Sequence, residues 1–233
     1  MNNADTAFHR SKLYRLLSYS FFYPTEELSD FLRSEDFIDE VRNVLEGYPV
    51  KADWETPLSG LRGLAAFTLE GMIDEHVRLL TLKSECPPYE TDYYRSKISV
   101  FTTEEMADIG GFYRAVGMDF VKDRPDHIAT QLEFMHLVTV KEAEAVFKGE
   151  NEKAELCISL ERKFLNDHLG RWVDAFFAAL ESQGSILYLS LCMLLRHWID
   201  LDCRYLGVSP QKVADFKIEP SEDDEQMCLG RGV

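Results

Sequence analysis

The chain has 233 residues, 45% of them hydrophobic, and it carries 41 acidic against 25 basic residues for a formal net charge of −16. This length predicts one domain whose core needs no disulfide or metal, and the charge argues against nucleic acid as a partner. A basic peptide or a basic protein face is the partner that this charge favours electrostatically. The alternative is that the acidic residues serve only to keep the protein in solution.

The hydrophobic spacing predicts helices almost throughout the chain, and therefore an all-α single-domain bundle. The first three helices are predicted from about residue 6 to 22, 25 to 46 and 57 to 80, with turns at Pro24 and Gly47. Four more are predicted at 103–116, 125–148, 152–181 (interrupted near Asn166) and 185–206. The helical domain is predicted to cover residues 1–216, followed by an acidic tail at 217–233 whose composition is typical of a mobile segment.

The cellular compartment is indicated by the cysteines and by the N-terminus. Five cysteines at irregular spacing, without a Cys-x-x-Cys pair, predict reduced thiols rather than a disulfide framework. The N-terminal residues lack the basic and apolar regions of a signal peptide, and the sequence has no apolar run of about 18 residues that would span a membrane. We therefore expect a cytoplasmic protein that is not inserted into a membrane.

A helix start signal lies at residues 123–127. Asp123 is the predicted N-cap, Pro125 suits the first helical turn, and Asp126 adds negative charge near the positive end of the helix dipole. His127 lies at the mouth of the helix. The spacing alone fits a purely structural helix terminus, with His127 as a hydrogen-bonded side chain that closes the turn.

A second notable segment is the irregular stretch 83–102, where the helical period is lost. It contains Pro87 and Pro88, followed by Tyr89, Glu90 and Tyr93. Long irregular connections inside compact domains are often functional or act as hinges. Packing of the tyrosines onto the helical bundle is the structural alternative.

These segments resemble the TorD/DmsD/NarJ-type chaperones, the redox-enzyme maturation proteins that serve molybdenum enzymes. The turn Pro125-Asp126-His127 leads into Leu-Glu-Phe-Met at 132–135, and the Pro-Pro-Tyr-Glu segment at 87–90 resembles the proline-rich segment of the family. Two helical segments, 109–118 and 198–206, fit in the expected order. One departure is Arg124, since the family often has a glutamate directly before this proline.

The resemblance implies a helical chaperone that is not an enzyme and has no cofactor. Its partner would be the catalytic subunit of a molybdoenzyme, bound at its twin-arginine leader or in its apo-form until the cofactor is inserted and the subunit is exported. Some relatives form homodimers by helix exchange, for which 83–102 is the candidate hinge.

The candidate peptide-binding residues combine the resemblance with the chemistry of an arginine receptor, which needs carboxylates beside aromatic or apolar cover. The matching positions in the family implicate Asp126, His127, Pro87 and Pro88 in leader binding. The full predicted set is Asp123, Pro125, Asp126, His127, Pro87, Pro88, Tyr89, Glu90 and Tyr93.

Two alternatives remain open from the sequence. A NarJ-like chaperone would serve a subunit that is never exported. A helical metal-binding protein is the other, but di-iron bundles use two Glu-x-x-His motifs, and Glu133-x-x-His136 is the single one in this chain. We therefore predict that the chain has no metal site.

Overall fold

The computed structural model describes residues 3–50, 52–81, 84–94, 99–119 and 124–213. In this part of the chain there are α-helices, short 3-10 and π segments and no β-strand, so the predicted all-α class is confirmed. Asp123 and the predicted tail 217–233 lie outside the described residues. None of the described helices is both long enough and apolar enough to cross a bilayer.

Ten α-helices follow one another in the described residues. They are α1 Asn3–Ser20, α2 Glu26–Leu32, α3 Glu35–Glu46, α4 Glu55–Arg62, α5 Leu69–Leu79, α6 Ser99–Ala115, α7 Ile128–Lys148, α8 Asn151–Phe164, α9 Gly170–Ser182 and α10 Ile186–Leu206. Short 3-10 helices cover Gly63–Ala66 and Glu90–Tyr93, and a π segment, Leu165–Leu169, joins α8 to α9. This π segment lies where the sequence predicted an interruption.

Two of the predicted helices are each divided in two. Ser34 is the N-cap of α3, and its hydroxyl accepts a hydrogen bond of 3.3 Å from the Phe37 amide. Thr68 caps α5 in the same way, with 3.1 Å to the Gly71 amide. A hydroxyl side chain that satisfies the first free amides of a new helix favours a break at that point.

The helix after the 123–127 turn starts later than predicted. Its N-cap is His127, whose Nδ1 accepts a hydrogen bond of 3.1 Å from the Ala129 amide. Pro125 therefore lies outside the helix, and its predicted place in the first turn is wrong. The reason is that the backbone of Asp126 and Ile128 pairs with the proline-rich loop instead.

The core is built around the pair α1 and α7, which pack along one another. Ser18 on α1 donates to the Ala129 carbonyl at 2.9 Å, and His136 on α7 donates to the Ser11 carbonyl at 3.0 Å. The apolar helix α10 buries 13 of its 21 residues and supplies a large share of the core. Burial of these apolar faces is the main force that holds the helices together.

A fully buried arginine lies at the centre of this packing. Arg10 donates to Asp202 at 2.7 and 3.0 Å, to Glu142 at 2.7 Å, and to Glu161. Tyr14 and Tyr48 donate their hydroxyl hydrogens to the same Asp202 carboxylate, at 2.6 and 2.9 Å. The Arg10 cluster, defined as these six residues, thus joins α1 to α7, α8 and α10 and to Tyr48 after α3.

Three carboxylates around one guanidinium leave the Arg10 cluster with an excess of acid. Burial, which outweighs the attraction of Arg10, raises the pKa of Glu161 to about 8 and also raises the pKa of Glu142. Near neutral pH this interior therefore retains a carboxyl proton, and the number of buried charges is reduced.

Candidate functional site

The proline-rich loop and the turn before α7 are joined directly by their backbones. Tyr89 and His127 form an isolated antiparallel bridge, in which the Glu90 amide donates to the Asp126 carbonyl at 3.0 Å. The Ile128 amide donates to the Pro88 carbonyl at 2.8 Å. We call residues 87–92 together with 124–127 the loop–turn junction. It brings together two segments that the sequence singled out separately.

The Asp126 carboxylate is the polar centre of the loop–turn junction. It is fully buried and accepts hydrogen bonds from the amide and the hydroxyl of Thr91, at 3.1 and 2.7 Å. Arg124 pairs with it in a bidentate manner, with 3.0 Å from Nε to Oδ1 and 2.7 Å from Nη2 to Oδ2. Asp126 is therefore a buried acceptor whose outer side is covered by an arginine of the same chain.

Aromatic side chains complete the surface of the loop–turn junction. The Arg124 guanidinium lies 4.2 Å from the centroid of the Tyr89 ring, and the Tyr89 and His127 rings meet edge to face at 5.2 Å. The side chains of Tyr89, His127, Pro87 and Pro125 are all partly exposed. These four predicted residues lie where a partner has access.

Other members of the predicted set point into the protein. Pro88, Glu90 and Tyr93 are buried, and Tyr93 packs against the Trp172 ring at a centroid distance of 5.4 Å. Glu90 accepts hydrogen bonds from Tyr94 and Gln131. These residues hold the loop in place rather than offering a surface.

His168 is a functional candidate that the sequence reasoning missed. It lies in the π segment, with Nδ1 3.1 Å from Glu90 Oε1 and Nε2 3.2 Å from Asp108 Oδ2. Burial lowers the pKa of His168, but the hydrogen bonds and charges of Glu90 and Asp108 outweigh that effect and the net shift is upward. The predicted break near Asn166 was the one signal that pointed to this segment, since π segments often occur at functional sites.

The ligand atoms of Glu90, Glu105 and His168 lie within 4.8 Å of one another. A metal ion there would compete with the hydrogen bonds that Glu90 already accepts from Tyr94 and His168. The Glu133-x-x-His136 motif does not contribute, because Glu133 is exposed and His136 binds the Ser11 carbonyl. Among the described residues, the geometry thus favours an internal ion pair over a metal centre.

The thiols offer no activated nucleophile in the described part of the chain. All four described cysteines are buried, and burial raises the pKa of each thiol: they are Cys86, Cys157, Cys192 and Cys203. A thiolate is the reactive form, so a raised pKa makes a thiol inert at neutral pH.

A separate groove of about 390 Å³ lies between α1, α3 and α7. Lys12 and Arg15 line it, together with His9, His136 and apolar side chains such as Phe8. With Glu40 as the one carboxylate against Lys12 and Arg15, the groove has a net positive charge and is a poor site for an arginine-rich segment, because like charges repel. The loop–turn junction has the carboxylates and the aromatic ring of an arginine receptor, and Arg124 of the same chain already pairs with Asp126 and Asp92 there.

Comparison with known proteins places the chain in a family. The model of the nitrate reductase delta subunit family matches residues 48–178. The selenate reductase assembly chaperone protein of Thauera selenatis is 26% identical over 162 residues, which cover 64% of this chain and 82% of the relative. A crystal structure described as that of a redox enzyme maturation protein from Archaeoglobus fulgidus matches with a TM-score of 0.50 and 17% identity, over 82% of this chain and 93% of the other.

The curated relative is named as an assembly chaperone, which agrees with the expectation that the chain is not an enzyme. The match to the solved structure supports the all-α fold, and the family match covers more than half of the chain, including the whole loop–turn junction. The resemblance noted from the sequence motifs is confirmed: this chain belongs to the nitrate reductase delta subunit family of NarJ/TorD-type proteins.

Proposed function

We propose that the chain is a cytoplasmic assembly chaperone for the catalytic subunit of a molybdenum-cofactor oxidoreductase. It binds the apo-form of that subunit or its N-terminal leader, and holds it until the cofactor has been inserted. No covalent chemistry is required, because occlusion of the bound segment is enough to delay its engagement by other proteins.

The loop–turn junction is the observation that carries this proposal. Two segments 36 to 40 residues apart in sequence pair there, and their residues Tyr89, His127, Pro87 and Pro125 are partly exposed. Partly exposed tyrosine and arginine side chains are typical of protein-binding surfaces, because they offer apolar area together with a polar end. The family membership supplies the class of partner.

The client segment has two candidate forms. One is a twin-arginine leader, in which two adjacent arginines precede an apolar stretch. The other is the N-terminus of a subunit that is never exported. The sequence of the captured subunit separates them, because only an exported subunit begins with a twin-arginine leader.

Affinity capture tests the proposal. The full chain is used as bait in extracts of its source cells grown under anaerobic conditions, and the retained proteins are identified by mass spectrometry. We expect a molybdoenzyme catalytic subunit to be retained by the wild-type chain and to be lost with Tyr89→Ala. Tyr19→Ala is the matched control, since Tyr19 is an exposed tyrosine on α1.

Equal retention of the subunit by the wild-type chain and by Tyr89→Ala would show that the loop–turn junction is not the surface that binds the client. If no such subunit is retained by the wild-type chain under inducing conditions, the chaperone function itself is contradicted.

The predicted helix-exchange homodimer remains a separate proposal, with a hinge at 83–102 that lies partly outside the described residues. Light scattering coupled to size-exclusion chromatography tests it, because a homodimer has twice the 26.9 kDa mass of one chain.

A further inference from the structure

We infer that Arg124 occupies, within the chain itself, the receptor that an arginine of the client would otherwise use, so that the wild-type chain recognises its client without dependence on paired arginines. This inference rests on the proposed function and assigns the specificity of the same surface. It makes Arg124 a specificity-determining residue.

The contacts of Arg124 are those expected of a bound arginine ligand. Its guanidinium makes a two-pronged contact with Asp126, donates to the Thr91 hydroxyl at 2.6 Å and lies 3.4 Å from the Asp92 carboxylate. The Tyr89 ring covers its face at 4.2 Å. Bidentate carboxylate pairing with aromatic stacking is the arrangement by which proteins recognise arginine rather than lysine.

Accessibility distinguishes this arginine from an ordinary interior one. The Arg124 side chain is 28% exposed, whereas the Asp126 side chain beneath it has no exposed area. Arg124 is therefore the layer between solvent and the buried carboxylate. We expect truncation of Arg124 to uncover Asp126, which keeps the Thr91 amide as a donor that has no contact with Arg124.

A client arginine gains little binding free energy at this site, because Arg124 is tethered beside the carboxylate. Arg124 is separated from Asp126 by a single residue, so its effective concentration at the carboxylate is in the millimolar range or higher, about that of a short flexible linker. An arginine of a client would have to displace it and would restore only the contacts that it had broken. The net contribution of that arginine to client binding is then close to zero.

The test compares two synthetic peptides with wild-type chain and with Arg124→Ala. Both peptides carry an apolar stretch of about ten residues, preceded by Arg-Arg in one and by Lys-Lys in the other. We expect the wild-type chain to bind them with similar affinity, within about threefold. The Arg124→Ala chain should bind the Arg-Arg peptide at least about tenfold more tightly than the Lys-Lys peptide, because the vacated carboxylates accept charge-assisted hydrogen bonds.

A small probe makes the test independent of any client. N-acetyl-arginine amide at millimolar concentration should raise the melting temperature of Arg124→Ala, and N-acetyl-lysine amide should not. Neither should act on the wild-type chain or on the control Arg114→Ala, which removes an exposed arginine from α6. Arg124→Lys keeps the charge but loses the bidentate contact, so it should bind the arginine probe less well than Arg124→Ala.

Two results would overturn the inference. One is a wild-type chain that already prefers the Arg-Arg peptide by tenfold or more. The other is an Arg124→Ala chain that remains folded but discriminates neither the peptides nor the amide probes. Both leave the proposed function standing if affinity capture still retains a molybdoenzyme subunit, so the two failures are distinguishable.

Discussion

Two arginines of this chain are each surrounded by carboxylates, and they differ mainly in their access to solvent. Arg10 is fully buried among Asp202, Glu142 and Glu161, which come from three different helices. Arg124 is 28% exposed and pairs with carboxylates of a loop and a turn. The contacts are chemically alike, but another molecule cannot reach the carboxylates around Arg10, whereas Arg124 lies at the surface.

This difference separates an architectural ion cluster from an exchangeable one. A buried guanidinium whose removal leaves several carboxylates unpaired in a medium of low dielectric constant is costly to lose. A guanidinium at the surface is screened by water, so its removal costs less and leaves a site that another arginine can fill. The following predictions test this contrast, from the largest expected effect to the smallest.

The largest effect is expected from Arg10→Met. The substitution leaves three carboxylates facing one another in the core, and we expect it to lower the free energy of unfolding by about 3–5 kcal/mol. Urea denaturation followed by circular dichroism measures the loss. Arg114→Met, an exposed position on α6, is the control. A loss below about 1 kcal/mol for Arg10→Met would show that the cluster rearranges without cost.

Arg124→Ala should destabilise the chain less than Arg10→Met does. Asp126 keeps the amide and hydroxyl of Thr91 as donors, and water reaches the vacated position. We expect a loss of about 1.5–3 kcal/mol, which is the range for hydrogen bonds to a charged group. The same denaturation experiment gives the value. A loss equal to that of Arg10→Met would contradict the distinction between the two arginines.

The stability of the chain should depend on pH through Glu161. The pKa of this carboxyl is about 8 in the folded chain, whereas its value in the unfolded chain is about 4.3. Between these two pH values the folded state binds more protons than the unfolded state. The contribution of Glu161 to the free energy of unfolding is therefore fully present below about pH 4.3 and is lost as pH rises through 8. Glu161→Gln should flatten this decline.

Calorimetric melting of wild type and Glu161→Gln at a series of pH values from 6 to 9 measures this effect. The difference between the two proteins isolates Glu161 from the other groups that titrate, among them His168, whose pKa is also raised. Parallel curves for the two proteins would mean that Glu161 is ionised in the fold at neutral pH.

The smallest effect is expected from His127. Its Nδ1 caps α7, so His127→Ala should cost about 1 kcal/mol of stability, while His127→Asn retains an acceptor for the Ala129 amide and should cost less. Both substitutions remove the ring that meets Tyr89 and should weaken client binding. Equal stability of the two variants would argue against the capping role.

The sequence predicted the helical class and singled out the two segments of the candidate site because both signals are local. Helical periodicity depends on neighbours three and four residues apart, and the prolines of 87–88 and 125 mark breaks directly. It did not predict the start of α7 at Ile128. The backbone there is satisfied by a loop that lies 36 to 40 residues earlier in the chain, and no local pattern reports such pairing.

The Arg10 cluster and the contacts of Arg124 were beyond sequence reasoning for the same physical reason. Arg10 and Asp202 lie 192 residues apart, so their pairing is a result of tertiary packing. Arg124 was noted only as a departure from the pattern of the family. The structure gives it specific partners in Asp126, Thr91 and the Tyr89 ring.

Site-specific photo-crosslinking tests the central claim most directly, because it asks which surface touches the client. A photoreactive phenylalanine analogue is introduced at Tyr89 in the loop–turn junction or, as the control, at Phe147, which is 85% exposed on α7. We predict a crosslink from position 89 to a molybdoenzyme catalytic subunit, and none from position 147. Crosslinking of the subunit from position 147 with none from position 89 would contradict the account.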